Sequence, residues 1–332
     1  MASSTAQRTA AVDRARDTLG LTPENFGMAL VARWAPVLAL LLLVLIGLVA
    51  SPAFLSSGNI RSVLLASSIL MILAVGQTFV ISTAGIDLSV ASIAQLSAVS
   101  MGAVYQLGWS PELGMVVAIV VGTTAGAING LLVSRGKIAD FVVTLGTFSA
   151  FSGFALLISD ARPVTITSPT LITIASGGIG WFSYLLIIAS IVAVAGYVLM
   201  FRTAFGTHIL AVGGNRKAAE ALGISFVKVK VGVYSIAGGL AGLAGILLIA
   251  RLGAAEPTAG TTYQLTSIAA AVLGGVSLFG GKSSIVGPLL GAIVLTGVVN
   301  LLNISGVTVY YQPIAVGAVV ILAAYLRRYE RS

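Results

Sequence analysis

The sequence predicts an all-α, polytopic membrane protein with about ten transmembrane helices and both chain ends on the cytoplasmic side. Three observations lead there. Of 332 residues, 58% are hydrophobic and 8% charged, against about a quarter charged in a soluble domain. Apolar runs of about 20 residues, the length that crosses a bilayer, recur along the chain. When those runs are threaded in order, fifteen of the 18 Lys and Arg fall on one side, which the positive-inside bias makes the cytoplasmic side.

The runs are 34–54, 63–82, 88–107, 114–134, 141–158, 182–201, 231–250, 265–280, 285–303 and 312–326. Segment 1–33 is polar and carries acids as well as arginines, and the run after it is longer than a signal-peptide core. It reads as a cytoplasmic N-terminal segment before a retained first span, with a cleaved signal as the alternative. One transmembrane domain then covers 34–326, with the longest inside loop at 202–230 and a cytoplasmic tail at 327–332. Only Arg61, Arg162 and Arg251 face outside in this threading. A missed helix would invert everything after it and spoil that asymmetry, so orientation and helix count support each other.

Composition excludes several function classes. The chain has no cysteine, one histidine (His208) and ten carboxylates, so disulfides and thiolate chemistry are absent and little remains for a metal or hydrolytic site. The net charge of +8 does not indicate nucleic acid, because aromatic and basic residues do not interleave in one patch. The stretch GGVSLFGGKSS (274–284) ends in Gly-Lys-Ser, yet a phosphate loop needs Gly six residues before the Lys and position 276 is Val. Lys282 therefore reads as a cytoplasmic anchor in a Gly-rich turn.

Two motif pairs point to an internal repeat. GTTAGAI (122–128) and GPLLGAI (287–293) share G-x-x-x-G-A-I, and LSVASIA (88–94) resembles LTSIA (265–269). The threading sets the first pair of helices opposite to the second, as in two inverted five-helix halves with a pathway between them. The alternative is that such small-residue spacings recur in any packed membrane helix.

Between Arg61 and Glu112 the only charged side chain is Asp87, within TAGIDLSV (83–90). An Asp at the centre of a membrane helix costs roughly 2.5–3.5 kcal/mol even on lenient scales. Gly85 allows the backbone to break, and Asp87 directly precedes LSVASIAQL, so its carboxylate can accept N–H groups at that helix start. It can also line a path, because irregular backbone at membrane depth survives only where protein or a water-filled cavity satisfies it. Both readings stay open. Gln77, Gln95, Asn129 and Asn300 join Asp87 as candidates for the path; Asn129, Asn300 and Asn303 are equally suited to hydrogen bonds between helices.

The loop 202–230 reads RTAFGTHILAVGGNRKAAEALGISFVKVK. Gly213, Gly214 and Asn215 break the chain, RKAAEAL holds good helix formers, Asn215 is placed to cap that short helix, and Gly223 to end it. His208 reads as a polar loop residue. A short amphipathic helix on the basic side suits docking of a cytosolic partner, and a solvated connector is the plain alternative.

Four stretches, TAGIDLSVAS (83–92), GAINGLLVSRGKIADFVVTLGT (126–147), AVGGNRKAAEALGIS (211–225) and IAAAVLGGVSLFGGKSSIVGPLLGA (268–292), together resemble the inner-membrane permease subunit of bacterial ABC sugar importers of the ribose/xylose/arabinose type. The resemblance implies a ten-helix permease moving a small pentose- or hexose-like sugar by alternating access, without enzymatic activity or a cofactor of its own. ATP would be held by a separate ATPase subunit. The other implied partners are an extracytoplasmic sugar-binding protein and a second permease copy, identical or paralogous. The segment with Gly214, Asn215, Ala218, Ala219, Glu220 and Gly223 would be the coupling helix for the ATPase, matching x-A-A-x-x-x-G at Ala218, Ala219 and Gly223, with Lys217 where many ABC permeases carry Glu. Ala84 and Ala91 stand where the pattern has Gly, Ala139 where it has Pro, and Ser283 where it has Gly. The competing class is a stand-alone ion-coupled transporter, whose mark would be several intramembrane ionisable residues; Asp87 is nearly alone.

Overall fold

The computed structural model describes residues 23–327; most of the polar N-terminal segment and the last residues of the tail lie outside the described residues. Helix α1 spans Pro23–Ala50 and α2 Ser57–Ser82. Then come α3 Val90–Gln106, α4 Pro111–Ser134 and α5 Asp140–Ile158. A short strand β1 (Val164–Thr165), α6 (Pro169–Ser176), the two-residue strands β2 (Gly178–Ile179) and β3 (Phe182–Ser183), and α7 (Tyr184–Phe201) complete the first half. The second half holds α8 Ala204–Gly214, α9 Arg216–Ala221, α10 Phe226–Leu252, β4 Ala254–Ala255, α11 Tyr263–Leu273, α12 Val286–Ile304 and α13 Gln312–Arg327.

Every predicted apolar run falls on a helix, and six helices among the described residues are long and apolar enough to cross a membrane. The differences have local causes. The first helix begins at Pro23 rather than 34. The run 265–280 is helical only to Leu273, since Gly274 ends it and Gly275 turns at φ +103°. The stretch 202–230 is not a loop: α8 was hidden because its apolar face is too short to stand out as a span, and His208 lies on it. Helix starts follow serine chemistry, with the hydroxyls of Ser56, Ser110, Ser183 and Ser225 each accepting an N–H of the first turn.

The two longest described spans, α2 and α10, form the buried centre and pack on each other. Helices α3 and α4 pack together and on α10, while α11 and α12 pack together and on α2, so exchanging the two sets leaves the pairings among these six helices unchanged. The shared G-x-x-x-G-A-I spacing does not serve equivalent contacts, however. Gly122 and Gly126 on α4 lie against the backbone of Gly238, Gly242 and Tyr234 on α10, whereas Gly287 and Gly291 on α12 lie against Gly274 and Ala270. Glycines there let backbones approach too closely for any Cβ, which maximises contact where no hydrophobic drive between helices exists.

Helices α5 and α10 are joined at both ends. Asp140, at the start of α5, pairs with Lys230 one turn into α10, and beyond their far ends β1 pairs antiparallel with β4, Val164 opposite Ala255. Large apolar side chains of α1, α4, α5 and α7 remain exposed, a surface suited to lipid rather than water.

Candidate functional site

The end of α2 builds the break. Ala84 N donates to Ile81 O at 2.9 Å and Gly85 N to Val80 O at 3.2 Å, the paired closure of a Schellman turn, whose left-handed position usually holds glycine. Here Ala84 holds it, at φ +56°. The chain then runs irregularly until α3 starts at Val90, so Asp87 is not the residue immediately capping that helix. It acts one step earlier: Oδ1 accepts both the Ser89 N–H at 2.7 Å and the Ser89 hydroxyl at 2.6 Å. Asn129 on α4 donates to that hydroxyl oxygen at 2.8 Å, and Gln77 on α2 donates to the Asp87 carbonyl at 2.6 Å.

Three of the five path candidates thus meet at the break: Gln77, Asp87 and Asn129, each shielded from solvent. Their remaining oxygens, Gln77 Oε1, Asp87 Oδ2 and Asn129 Oδ1, are buried and have no hydrogen-bond partner. Three acceptors without a donor in one cluster are costly unless something supplies one. The other two candidates lie apart. Gln95 donates to Ala259 O at 3.1 Å and accepts from Ser152 at 3.3 Å, and Asn300 exchanges hydrogen bonds with Asn59 at 3.0 and 2.9 Å, tying α12 to the start of α2. Asn303 likewise bonds across helices, accepting from Gln312 at 2.7 Å.

Sequence reading missed the residues that hold the break from the other side. Lys230 Nζ lies 2.6 Å from Asp140 Oδ2, and the Tyr234 hydroxyl is within reach of both that oxygen, at 2.9 Å, and Ile86 O, at 3.2 Å. The Thr144 hydroxyl lies within reach of Ile86 O at 3.2 Å and, closer, of the Asp140 carbonyl at 2.9 Å. Gly85 leaves the ion pair room: a Cβ there would meet Asp140 Oδ2 and Lys230 Nζ. In the sequence Lys230 closes the 202–230 segment and Asp140 lies just before the run 141–158, so neither stands out as a site residue. The available signal was the i, i+4 spacing of Lys230 and Tyr234, which sets them on one helix face, while Lys228 stays exposed.

The docking candidates form a compact unit. Asn215 Oδ1 accepts Ala218 N at 3.1 Å, and Gly223 at φ +83° closes α9 with Gly223 N on Glu220 O and Ile224 N on Ala219 O. Arg216 pairs with Glu220 at 3.0 Å on the exposed side. Ala218 and Gly214 are also exposed, but Ala219 is buried in the core, so it fastens α9 rather than presenting a surface. Leu222, which the sequence did not single out, is 81% exposed. Gly213 packs on the Ser82 carbonyl and on Gly281, whose N–H donates to Ser82 O at 3.1 Å. The Gly-Lys-Ser turn is therefore a clasp on the end of α2, and no group of three or more His, Asp or Glu that could hold a metal occurs among the described residues.

Two of the other departures from the family pattern are readily accommodated. Ala139 sits at φ −59° and ψ 136°, which proline also adopts. Ala91 is an ordinary buried residue of α3, whereas Ser283, not at a positive φ, has a buried hydroxyl oxygen without a hydrogen-bond partner.

Residues 59–324 match the family described as branched-chain amino acid transport system / permease component. The ribose import permease protein of Bacillus subtilis (strain 168) is 40% identical over 296 residues, covering 88% of this chain and 92% of the relative. That of Escherichia coli (strain K12) is 40% identical over 297 residues, 87% of this chain and 91% of the relative. The L-arabinose ABC transporter permease protein of Azospirillum brasilense is 32% identical over 281 residues, 85% of this chain and 83% of the relative. No solved structure matches the chain. With a family match over most of its length and sugar permeases aligned nearly end to end, the chain belongs to the branched-chain amino acid transport system / permease component family.

Proposed function

We propose that this chain is the permease subunit of an ATP-driven sugar importer in the bacterial inner membrane, forming the translocation path and holding no nucleotide itself. The single observation that carries the reading is the near end-to-end similarity to ribose import permeases. In this reading ten spans cross with both ends cytoplasmic, as the Lys and Arg distribution favours. The paired helix contacts support two inverted halves meeting at α2 and α10. ATP is hydrolysed on a separate subunit that α9 docks, sugar arrives from an extracytoplasmic binding protein, and a second permease copy completes the path.

At the break, the two oxygens of Asp87 divide the work. Oδ1 orders the start of α3 through Ser89. Oδ2, with Gln77 Oε1 and Asn129 Oδ1, offers acceptors to a solute rich in hydroxyl donors, and the three meet their donors when the path opens. Gln95 and Asn300, whose groups are bonded within the protein, hold helices together instead. The test is uptake of labelled ribose, allose, arabinose and fructose, the sugars named for the relatives, by cells with and without the chain. Loss of one uptake on deletion is expected. Uptake that survives ATP depletion with the proton gradient intact would establish the ion-coupled class instead.

A further inference from the structure

We propose that the cluster of buried Lys230 and Tyr234 with the partly buried Asp140 is a positioning element that carries movement of the docking helix into the 83–89 break. The inference rests on α9 being the ATPase-docking helix.

A continuous line of contacts joins the two. The Arg216 guanidinium, at the start of α9, stacks 3.6 Å from the centroid of Phe226, the first residue of α10, and Lys230 Nζ lies 5.8 Å from the same ring. Lys230 pairs with Asp140, and Tyr234 reaches both Asp140 and the carbonyl of Ile86, the residue before Asp87. The ion pair is seated on the break itself, since only a glycine at 85 leaves space for it.

The chemistry of the cluster makes it bistable rather than merely tight. A tyrosine hydroxyl has one proton to donate, and Tyr234 faces two acceptors. While Lys230 satisfies Asp140, the Tyr234 hydroxyl, 2.9 Å from Asp140 Oδ2 and 3.2 Å from Ile86 O, can share its proton with Ile86 O. If Lys230 is drawn away with the start of α10, Asp140 becomes an unpaired charge in a partly buried site and recruits that proton, releasing Ile86. Thr144, which reaches the same carbonyl, sits one turn along α5 from Asp140 and moves with it. Small displacements at the docking helix are thereby converted into two discrete states of the break.

The absence of cysteine gives a clean reporter. Leu88, half-buried in the break, is changed to cysteine (Leu88→Cys), and its maleimide labelling rate is measured in the complete complex with and without ATP and vanadate. Trapping ATP should change the rate about fivefold or more, the size of an ordinary coupling between sites. Asp140→Asn, Lys230→Gln and Tyr234→Phe should each abolish that change while the ATPase subunit still co-purifies, and the exchanged pair Lys230→Asp with Asp140→Lys should restore part of it. A labelling change that persists in Tyr234→Phe, or one missing from the parent complex, overturns the proposal. If the charge variants do not fold, Tyr234→Phe decides alone, because it keeps the ring and removes only the shared proton. The docking reading fails separately, if exposed substitutions on α9 leave ATPase association unchanged.

Discussion

Asn129 and Ser89 join two helices through one hydrogen bond of 2.8 Å, and the Ser89 hydroxyl in turn donates a hydrogen bond to Asp87 Oδ1 at 2.6 Å. The relay orders the break from α4 to the start of α3 and uses only half of the carboxylate. Asp87→Asn retains the oxygen that Ser89 needs, so folded yield and ATPase association should stay near wild type. It replaces Oδ2 by an N–H donor where the proposed path offers sugar hydroxyls an acceptor, so on that proposal uptake should fall roughly tenfold, the equivalent of one charged hydrogen bond. Asp87→Leu removes both acceptors, strands the Ser89 N–H and hydroxyl, and should destabilise the protein by about 1–3 kcal/mol. Uptake at the wild-type level in Asp87→Asn would confine Asp87 to a structural role.

Ala84 carries the strain of the break. A left-handed alanine costs about 1–2 kcal/mol, and glycine gives back part of that relief through its looser unfolded chain, about 0.5–1 kcal/mol. Ala84→Gly should therefore stabilise the purified protein by roughly 0.5 kcal/mol, read as a small upward shift in thermal unfolding in detergent. Ala84→Val should do the reverse, because a β-branched side chain at φ +56° is a steric outlier. A lower unfolding temperature for Ala84→Gly would show that the methyl group makes a contact worth more than its strain.

The α4–α10 crossing sets a third expectation. A side chain at Gly126 would run into the Tyr234 carbonyl, and Tyr234, with Thr144, reaches Ile86 O. Gly126→Val should force the helices apart, costing about 1–3 kcal/mol as an overpacked core does, and should reduce monodisperse yield. Gly146, with nothing within 4 Å of a Cβ, should accept Val with little change, which separates packing from any general effect of removing glycine.

Much of this arrangement was legible in the residues, and what was not has identifiable reasons. Long apolar runs announce themselves by length, so α2, α4, α5, α7 and α12 were readable as spans. The Asn215 cap and the Gly223 stop were readable because each is a local event between residues a few positions apart. The Lys230–Asp140 pair spans 90 positions, and nothing near either residue distinguishes a charge that turns inward from one that faces water. Ala84 looked like a conservative replacement for glycine; only the backbone angle shows that it is strained. The repeated G-x-x-x-G-A-I was readable as close packing but not as a choice of partner, because the spacing is the same whichever helix lies opposite.

The proposed docking role of α9 supplies the last prediction, in which buried and exposed positions should fail differently. Leu222 projects from the end of α9 with 81% of its surface exposed, while Ala219, one turn earlier, is buried among Val212, Val229 and their neighbours. Leu222→Asp introduces a charge into whatever apolar contact the ATPase makes there without disturbing the permease, so the purified permease should unfold at its usual temperature yet recover markedly less ATPase subunit in co-purification. Ala219→Asp places an unpaired carboxylate in the core, where the desolvation penalty falls on the permease itself; its yield and unfolding temperature should drop along with ATPase recovery. Gly223→Val lies between them: no atom stands within 4 Å of its Cβ, but φ +83° forbids the branched side chain, so α9 should lose its stop and with it the placement of Leu222. Co-purification unaffected by Leu222→Asp in a folded permease would remove this helix from the ATPase interface.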